Sequence, residues 1–345
     1  MLKALLTSFD LLLVAAAFLI MTVGLARRWL LWRQKKSAGV SGDWQALKTA
    51  LLAQREILKR PSVGGPHLAA FWGVVIPLIV IILAQFGFII PHAPANLLSL
   101  IQDLAGMALL IGTLLLLIRR SRSADAEGPS RTVLPMILML VILVSGFLAE
   151  GVRLNILQAD GFTWPSPFGW LLSWITPASP LFMQMMIRLH FLAVLLFIAA
   201  IPFTFMRHAV ASPLNVFYRK QGARAALTHP SIESGEIGAR TINDFSWKQM
   251  LDAEACVSCG RCDENCPAAI SGKPLSPRKI IRNIREQMEM VSADKKRLAN
   301  GQQSPLLENA VSADEMWACT SCMACVEHCP VFIEPLDKII DMRRY

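Results

Sequence analysis

All eight cysteines of this 345-residue chain lie in two copies of one pattern: three cysteines spaced three residues apart, then a fourth directly before a proline. Three thiolates at positions i, i+3 and i+6 can bind one face of an iron–sulfur cubane, and the fourth cysteine of such a pattern ligates the other cluster. The first set is therefore predicted to be Cys256, Cys259, Cys262 and Cys329, and the second set Cys319, Cys322, Cys325 and Cys266. Each set would hold one 4Fe-4S cluster, and the chemistry indicated is electron transfer.

Two other kinds of site also use several cysteines. A disulfide framework needs an oxidising compartment and a small secreted domain, and a zinc site favours two cysteine pairs at wider separation. Neither explains a doubled four-cysteine pattern with trailing Pro267 and Pro330. No cysteine is left over, so the sequence does not indicate a separate catalytic thiol.

The first two thirds of the chain are strongly apolar, and the whole chain has a mean hydropathy of +0.46. Stretches long enough to cross about 30 Å of hydrocarbon as helices lie near residues 8–31, 68–90, 97–118, 132–150 and 183–206. The first could instead be a signal peptide, but its apolar run is long and ends at Arg27 and Arg28 without a small-residue cleavage site. Five transmembrane helices are therefore predicted.

The positive charges of the connecting loops predict the orientation. The connections after the first and third apolar stretches are rich in Lys and Arg, whereas the loop 91–96 contains neither. By the positive-inside rule the N-terminus is outside, and the basic loops and the chain beyond about residue 207 are cytoplasmic. The expected location is the inner (cytoplasmic) membrane, with the cysteines in a reducing compartment.

The net charge of +9 does not indicate a nucleic-acid partner. Residues 1–206 contain 16 Lys and Arg against 8 Asp and Glu, whereas residues 207–345 contain 18 against 17. The excess lies in the apolar half, where membrane topology and anionic lipid account for it.

Four histidines are candidate haem ligands. His190 and His208 are eighteen residues apart, which on one continuous fifth helix places them on the same face about 27 Å apart. His67, at the start of the second stretch, lies at the depth expected for His208, so this pair could ligate an inner b-type haem. His190 and His92 of the outer loop are the corresponding pair for an outer haem. The alternative is that these histidines bond to backbone or water at the membrane interface.

Three further ionisable residues lie near the outer side: Asp103 in the third stretch, and Glu150 and Arg153 at the end of the fourth. A quinone head group needs hydrogen-bond donors and a proton route, so these residues are the candidate quinone site. Charges that extend from helix ends into water would account equally well for each residue alone.

These features together resemble a known family. The histidine arrangement resembles the gamma subunit of respiratory nitrate reductase, a five-helix dihaem cytochrome b. The segments CVSCGRCDENCP and CTSCMACVEHCP resemble the iron–sulfur subunit of heterodisulfide reductase. Their fusion resembles membrane-bound iron–sulfur oxidoreductases that include electron-transfer-flavoprotein:menaquinone oxidoreductase.

The resemblance implies that His67 and His208 ligate the cytoplasmic haem and that His190 is one ligand of the outer haem. Pro77 stands where the family pattern has a second histidine on helix two, so the resemblance does not supply the second ligand of the outer haem. Many relatives continue into cysteine-rich CCG domains, whereas this chain ends at Tyr345. We therefore expect such a domain in a separate subunit or in a longer protein.

The sequence thus predicts a mainly α fold. Residues 1–208 would form a five-helix transmembrane haem b domain, 209–242 a linker, and 243–345 an α-helical ferredoxin-like domain with two 4Fe-4S clusters. The expected function is quinone-linked oxidoreduction, in which two clusters and one or two haems b connect a cytoplasmic redox protein, such as an electron-transfer flavoprotein, with menaquinone or another quinone. The alternative is a non-catalytic electron conduit and membrane anchor of a heterodisulfide reductase-like complex.

Overall fold

The computed structural model describes residues 7–33, 39–85, 95–121, 129–157, 163–221, 227, 237–293 and 305–345. These residues form helices, and no strand occurs among them. The chain divides into two compact units: a membrane unit of Met1–Thr22 and Ile57–Met206, and a cysteine unit of Val23–Glu56 and Arg207–Tyr345. This division differs from the predicted domain limits, because residues 23–56 and His208 both group with the cysteine unit.

The N-terminal two thirds of the chain contain the long helices. In chain order they and their short connectors are α1 (Ser8–Arg33), α2 (Trp44–Lys48), a π-helical turn (Thr49–Ala53), α3 (Arg55–Leu58), α4 (Pro61–Gln85), α5 (Ala95–Ser121), α6 (Pro129–Ile156), α7 (Pro167–Ser173), α8 (Pro180–Ala200) and α9 (His208–Phe217). Five of them, α1, α4, α5, α6 and α8, are long and apolar enough to span a membrane, with mean hydropathies between 2.1 and 2.4. The prediction of five membrane helices is confirmed.

The apolar surface of these helices matches a lipid environment. Leu12 on α1 is 67% exposed and Leu181 on α8 is 68% exposed, which in water would leave large apolar areas uncovered. Between α4 and α5, close approach depends on glycine: a Cβ on Gly73 would lie 2.6 Å from Cβ of Leu109, and one on Gly112 would lie 2.6 Å from the carbonyl oxygen of Pro66. Small residues of this kind let transmembrane helices pack closely.

The predicted continuous fifth helix is wrong. Helix α8 ends at Ala200, a 3₁₀ turn covers Ile201–Phe203, and Thr204 is extended with φ −116° and ψ 178° before a second 3₁₀ turn. Pro202 contributes to the break because it has no N–H to continue the α-helical hydrogen bonds. His190 and His208 therefore lie on different helices, and the argument from a shared face does not apply.

The linker predicted for 209–242 also differs from the structure. It begins with α9, whose interior contains Pro213. On this helix Phe217 packs edge-on against Trp44, with ring centroids 4.7 Å apart. The carboxylate of Asp43 caps α2 by accepting a bond from Ala46 N, and it pairs with Arg219 at 2.8 Å. Residues 39–56 are therefore fixed to the segment after α8.

The rest of the cysteine unit consists of short helices around a compact apolar core. They are α10 (Trp247–Ala255), α11 (Arg261–Glu264), α12 (Pro267–Ile270), α13 (Pro277–Ala293), α14 (Leu306–Asn309), α15 (Ala313–Trp317), α16 (Ala324–Glu327) and α17 (Pro335–Arg344). Capping boxes start α10 at Ser246 and α15 at Ser312, and each of these helices leads into one cysteine loop. Phe245, Ile284 and Ile339 are completely or almost completely buried in the core.

Candidate redox sites

The two cysteine loops share one backbone turn. In each loop, the residues before and after the second cysteine have positive φ: 52° and 82° at Ser258 and Gly260, and 57° and 65° at Ser321 and Met323. The left-handed region costs a residue with a Cβ about 1–2 kcal/mol. Turns of this kind point successive backbone N–H groups into a concavity that suits an anionic group, iron–sulfur clusters included.

The structure brings the four thiols of the first set together. Cys262 interacts electrostatically with Cys256, Cys259 and Cys329, and Cys329 interacts likewise with Cys259 and Cys256. Burial raises the pKa of Cys329 to about 12 and raises that of Cys262 as well. Iron binding would have to displace these protons, since the thiolate is the metal ligand.

The second set is brought together in the same way. Cys325 interacts electrostatically with Cys319, Cys266 and Cys322, and burial, followed by these neighbours, raises its pKa to about 12. Cys266 of the first motif thus lies with the second motif, and Cys329 of the second motif lies with the first. This is the crossed arrangement that the pattern predicts for two clusters.

A pocket adjoins the first set and provides a cradle for a polynuclear group. All four cysteines of the set line it, and its volume is about 410 Å³ including space open to solvent. Among the described residues, no three His, Cys, Asp or Glu side chains converge as a site for a single metal ion, and all eight cysteines are free thiols. A cubane does not need such convergence, because its four irons are held by separate thiolates. The residues present therefore fit one cluster per set.

Two arginines hold the backbone of the cysteine loops. Nη1 of Arg285, a buried residue of α13, donates to the carbonyl of Cys256 at 2.9 Å, and Nη2 of Arg343 on α17 donates to that of Cys319 at 2.7 Å. In addition, the backbone N–H of Ile333 donates to Sγ of Cys329 at 3.3 Å. Sequence reasoning missed both arginines, because they stand at different distances along the chain from the cysteines that they contact and no repeat marks them.

The imidazole of His190 is held by a backbone contact on α6. Its Nδ1 lies 2.8 Å from the carbonyl oxygen of Ile142 on α6. A carbonyl only accepts, so Nδ1 carries the proton and Nε2 has the lone pair that a metal needs. Such a bond from the second ring nitrogen is the usual support of a metal-binding histidine. Gly146 faces the imidazole, and a Cβ there would lie 3.2 Å from Nδ1.

Two of the other predicted haem ligands belong to different units of the structure. His67 lies in α4 of the membrane unit, and His208 is the first residue of α9 in the cysteine unit. Both are partly buried. His92 falls outside the described residues. The ligation of haem by these three residues stays a prediction from the sequence.

The three residues of the predicted quinone site lie in one polar cluster of the membrane unit. Arg153 donates to both oxygens of Glu150, with Nε and Nη2 at 2.7 and 2.6 Å. The hydroxyl of Ser166 donates to Oε1 of Glu150 at 2.9 Å. Asp103, which is 7% exposed, accepts a bond from the N–H of Phe168 at 2.9 Å. The segment that starts α7 therefore joins the two carboxylates.

Ser166 and Gly169 are members of this cluster that sequence reasoning missed. A Cβ on Gly169 would lie 2.6 Å from Cγ of Glu150, so glycine is what lets α7 approach the carboxylate so closely. Their place in the connection between α6 and α8 gave no periodic signal. A serine and a glycine next to Pro167 are also common in ordinary turns.

Two known families match successive parts of the chain. Residues 66–223 match the nitrate reductase gamma subunit family, and residues 252–333 match the 4Fe-4S dicluster domain. EtfAB:quinone oxidoreductase of Syntrophomonas wolfei subsp. wolfei is 32% identical over 85% of this chain and 47% of its own length. A subunit of the dihydromethanophenazine:CoB–CoM heterodisulfide reductase of Methanosarcina barkeri is 33% identical over 50% of this chain and 65% of its own length.

The dicluster region has relatives of its own. The iron–sulfur subunit of CoB–CoM heterodisulfide reductase of Methanopyrus kandleri is 29% identical over 28% of this chain and 40% of its own length. No solved structure matches the chain. The chain spans about half the length of the EtfAB:quinone oxidoreductase that it matches.

Five apolar helices and these matches make the chain a multi-pass membrane protein with an iron–sulfur domain. The resemblance inferred from the histidines and cysteines is confirmed at this level. The chain joins a nitrate reductase gamma domain to a 4Fe-4S dicluster domain.

Proposed function

We propose that this chain is a membrane-bound, quinone-linked oxidoreductase that transfers electrons between a cytoplasmic redox protein and the menaquinone or quinone pool. The observation that carries the proposal is the crossing of two complete four-cysteine sets within a chain that also has a five-helix membrane unit. The similarity to a protein named EtfAB:quinone oxidoreductase supports both an electron-transfer flavoprotein as the partner and quinone as the membrane substrate.

The first set, Cys256, Cys259, Cys262 and Cys329, would hold one 4Fe-4S cluster, and the second set, Cys319, Cys322, Cys325 and Cys266, the other. His190 would ligate a b-type haem through Nε2, and His67 and His208 are the proposed ligands of an inner haem. When bound, these groups would supply one-electron carriers whose potentials the protein sets through ligands, hydrogen bonds and burial. The N–H of Ile333 at Cys329 is one such hydrogen bond.

The polar cluster around Glu150 is the proposed quinone site. Reduction of a quinone takes up protons, so the site needs both donors and an exchangeable proton. Arg153 and Ser166 supply N–H and O–H donors, and Glu150 and Asp103 supply carboxylates. Ionisable groups within membrane helices usually mark such proton or substrate routes.

Chemical analysis of the purified protein tests the cofactor part of this proposal. We expect about eight non-haem irons with matching acid-labile sulfide, as two 4Fe-4S clusters require, and one or two haems b with a redox-active optical spectrum. Zinc in place of iron, or a protein without haem, would contradict the assignment.

Variants of the carboxylates test the quinone part. Asp103→Asn and Glu150→Gln retain an oxygen that can accept from Phe168 N and Ser166 Oγ but lose the titratable proton. Quinone-dependent oxidation of reduced haem should therefore slow by about 100-fold, the usual scale of a lost acid–base group, while cofactor content stays unchanged. Normal rates in both variants, or a haem spectrum insensitive to quinol analogues, would exclude this site.

The second candidate function is a non-catalytic electron conduit that anchors a heterodisulfide reductase-like complex. The matches to two different subunits of such reductases favour it. In that case a further subunit with a cysteine-rich CCG domain should copurify, and quinol analogues should leave the haem spectrum unchanged. Under either function we propose that the cysteine unit is cytoplasmic and that the N-terminus is outside, in the inner membrane.

A further inference from the structure

Helix α9 connects the proposed haem ligand His208 with one particular set of cysteines. His208, Ser212 and Asn215 stand at positions i, i+4 and i+7, so they lie on one face of the helix. The chain reaches this face within the cysteine unit, where α9 packs against α10. The contacts of Ser212 and Asn215 therefore show which segments lie against the side of α9 that also contains His208.

Both contacts reach residues next to cysteines of the first set. The hydroxyl of Ser212 donates to the carbonyl of Ala255 at 3.2 Å, and Ala255 directly precedes Cys256. Nδ2 of Asn215, which is completely buried, donates to the carbonyl of Val331 at 2.8 Å, two residues after Cys329. One helix face thus holds two separate segments of the chain, each of which supplies a cysteine of the first set.

An ion pair attaches the residue before His208 to the end of α10. Arg207 precedes the histidine, is 3% exposed, and pairs with Glu254 at 3.2 Å. Glu254 is 1% exposed and also pairs with Arg28 at 2.6 Å. It stands two residues before Cys256. Arg207, Ser212 and Asn215 therefore all contact segments that lie next to cysteines of the first set.

The second set is supported by other helices. Arg343 of α17 holds the carbonyls of Met316 and Cys319 at 2.6 and 2.7 Å. Lys279 of α13 pairs with Glu315 of α15 at 2.6 Å. These contacts place the second loop against α13, α15 and α17.

We infer that the first set is the proximal one: its cluster is the one next to the proposed haem ligand His208, and the second set is the one that exchanges electrons with the soluble redox partner. Helix α9 is the positioning element, with Ser212 and Asn215 as its attachments. His208 lies one helical turn before Ser212, which is a rise of about 6 Å along the helix axis. Because Ser212 contacts the residue before Cys256, the path from the first set to His208 is short. The inference rests on the proposed function and adds an order to its two clusters.

Two matched variants test the order. Cys259→Ser and Cys322→Ser change the exposed second cysteine of each loop, so each leaves the other set intact. The readout is the microwave power needed to saturate the EPR signal of the intact reduced cluster while the haem is oxidised, since a nearby paramagnetic haem speeds its relaxation. The Cys322→Ser variant retains the first cluster, and the Cys259→Ser variant retains the second. Saturating the signal of the first cluster should need several-fold more microwave power than saturating that of the second. Equal values or the reverse order would overturn the inference.

A second pair of variants tests the role of α9 with all cysteines present. Asn215→Ala removes the bond to Val331, and Asn283→Ala removes a bond of the same kind, from Asn283 Nδ2 to the carbonyl of Ala310 at 2.6 Å. Asn215→Ala should shift the midpoint potential and EPR line shape of the first cluster and leave the second unchanged, and Asn283→Ala should not alter the first. A shift of the second cluster alone in Asn215→Ala would contradict the inference. A protein without haem would refute the proposed haem yet leave this comparison interpretable.

Discussion

Single residues of the cysteine loops carry much of the local strain. Gly260 and Met323 hold equivalent positions after the second cysteine, and both have positive φ. Only the glycine adopts this conformation without a steric cost. The bulky Met323 must therefore be held in place by the bonds around it, including those of Arg343 to the start of its loop.

This difference predicts opposite effects of two substitutions. Gly260→Ala should destabilise the first loop by about 1 kcal/mol, because alanine at φ +82° clashes with its own backbone. Met323→Gly should cost nothing or be slightly stabilising, because it relieves the same strain. The rate at which each cluster's visible absorbance bleaches in chelator measures both effects. Faster bleaching in Met323→Gly than in Gly260→Ala would contradict the explanation.

A buried charged group near α17 predicts a pH effect. Burial acts to raise the pKa of Asp252, but Lys248 and Lys338 both pair with this carboxylate, and their charges hold its pKa below the usual value. Burial, followed by the charge of Asp252, raises the pKa of Glu334 from 4.5 to about 7. The folded state therefore binds the Glu334 proton more tightly than the unfolded state.

The stability that Glu334 contributes is present below pH 4.5 and is lost as the pH rises to about 7. Glu334→Gln mimics the protonated form at every pH. The melting temperatures of the two proteins should thus be similar at the acidic end, and the variant should become the more stable one towards pH 7 and above. A constant difference in melting temperature across this range would show that the pKa of Glu334 is the same in the folded and unfolded states.

At the scale of elements, the approach of α6 to α8 positions His190. The imidazole is held by its hydrogen bond to the carbonyl of Ile142, and the absence of a Cβ on Gly146 leaves room for the ring. A Cβ on Gly146 is tight enough to push the ring by a few tenths of an ångström, and a branched side chain would move it further.

Gly146→Val should therefore lower the haem content and shift the haem spectrum, while Gly146→Ala should give a smaller change. Gly65→Ala on α4 is the control, because a Cβ there has no atom within 4 Å. The measurement is haem per protein by pyridine haemochrome after identical purification. Full haem content with an unchanged spectrum in Gly146→Val would argue against His190 as a ligand.

The elements also explain what the sequence could and could not predict. Hydropathy identified the five long helices, because spanning a bilayer requires long apolar runs. The same apolar run continues through Pro202 and Thr204 to Met206, so hydropathy could not show that α8 stops at Ala200. The α9 helix was missed because Pro213 suggested a break, although the residue lies within the helix.

The candidate sites were likewise predictable from the sequence only in part. The place of Cys266 with the second motif and of Cys329 with the first agrees with the ligation rule for this spacing. The cluster of Asp103, Glu150 and Arg153 was predictable as a group of intramembrane charges. The arginines at Cys256 and Cys319, and Ser166 at Glu150, depend on tertiary contacts between segments far apart in sequence. No local pattern encodes those contacts.

For the whole molecule, chain topology and the contacts of the cysteine unit support each other. Residues 39–56 follow the first span, which ends at Trp32, and the segment from Arg207 follows the fifth, so the four spans between them return the chain to the same side of the membrane. A contact between them requires this: Asp43 pairs with Arg219. If one of the four intervening helices did not cross, these partners would be separated by the bilayer.

The positive-inside rule then predicts that this shared side is the cytoplasm, since the connection after α1 is rich in Lys and Arg and loop 91–96 has neither. Alkaline phosphatase, which folds only outside, should be active when inserted in loop 91–96 and inactive in loop 122–128 or after Tyr345. Green fluorescent protein after Tyr345 should fluoresce. Phosphatase activity after Tyr345 would show that the orientation is the reverse of the predicted one. Activity in both loops would show that the helix between them does not span the membrane, and Asp43 and Arg219 would then not be expected on the same side.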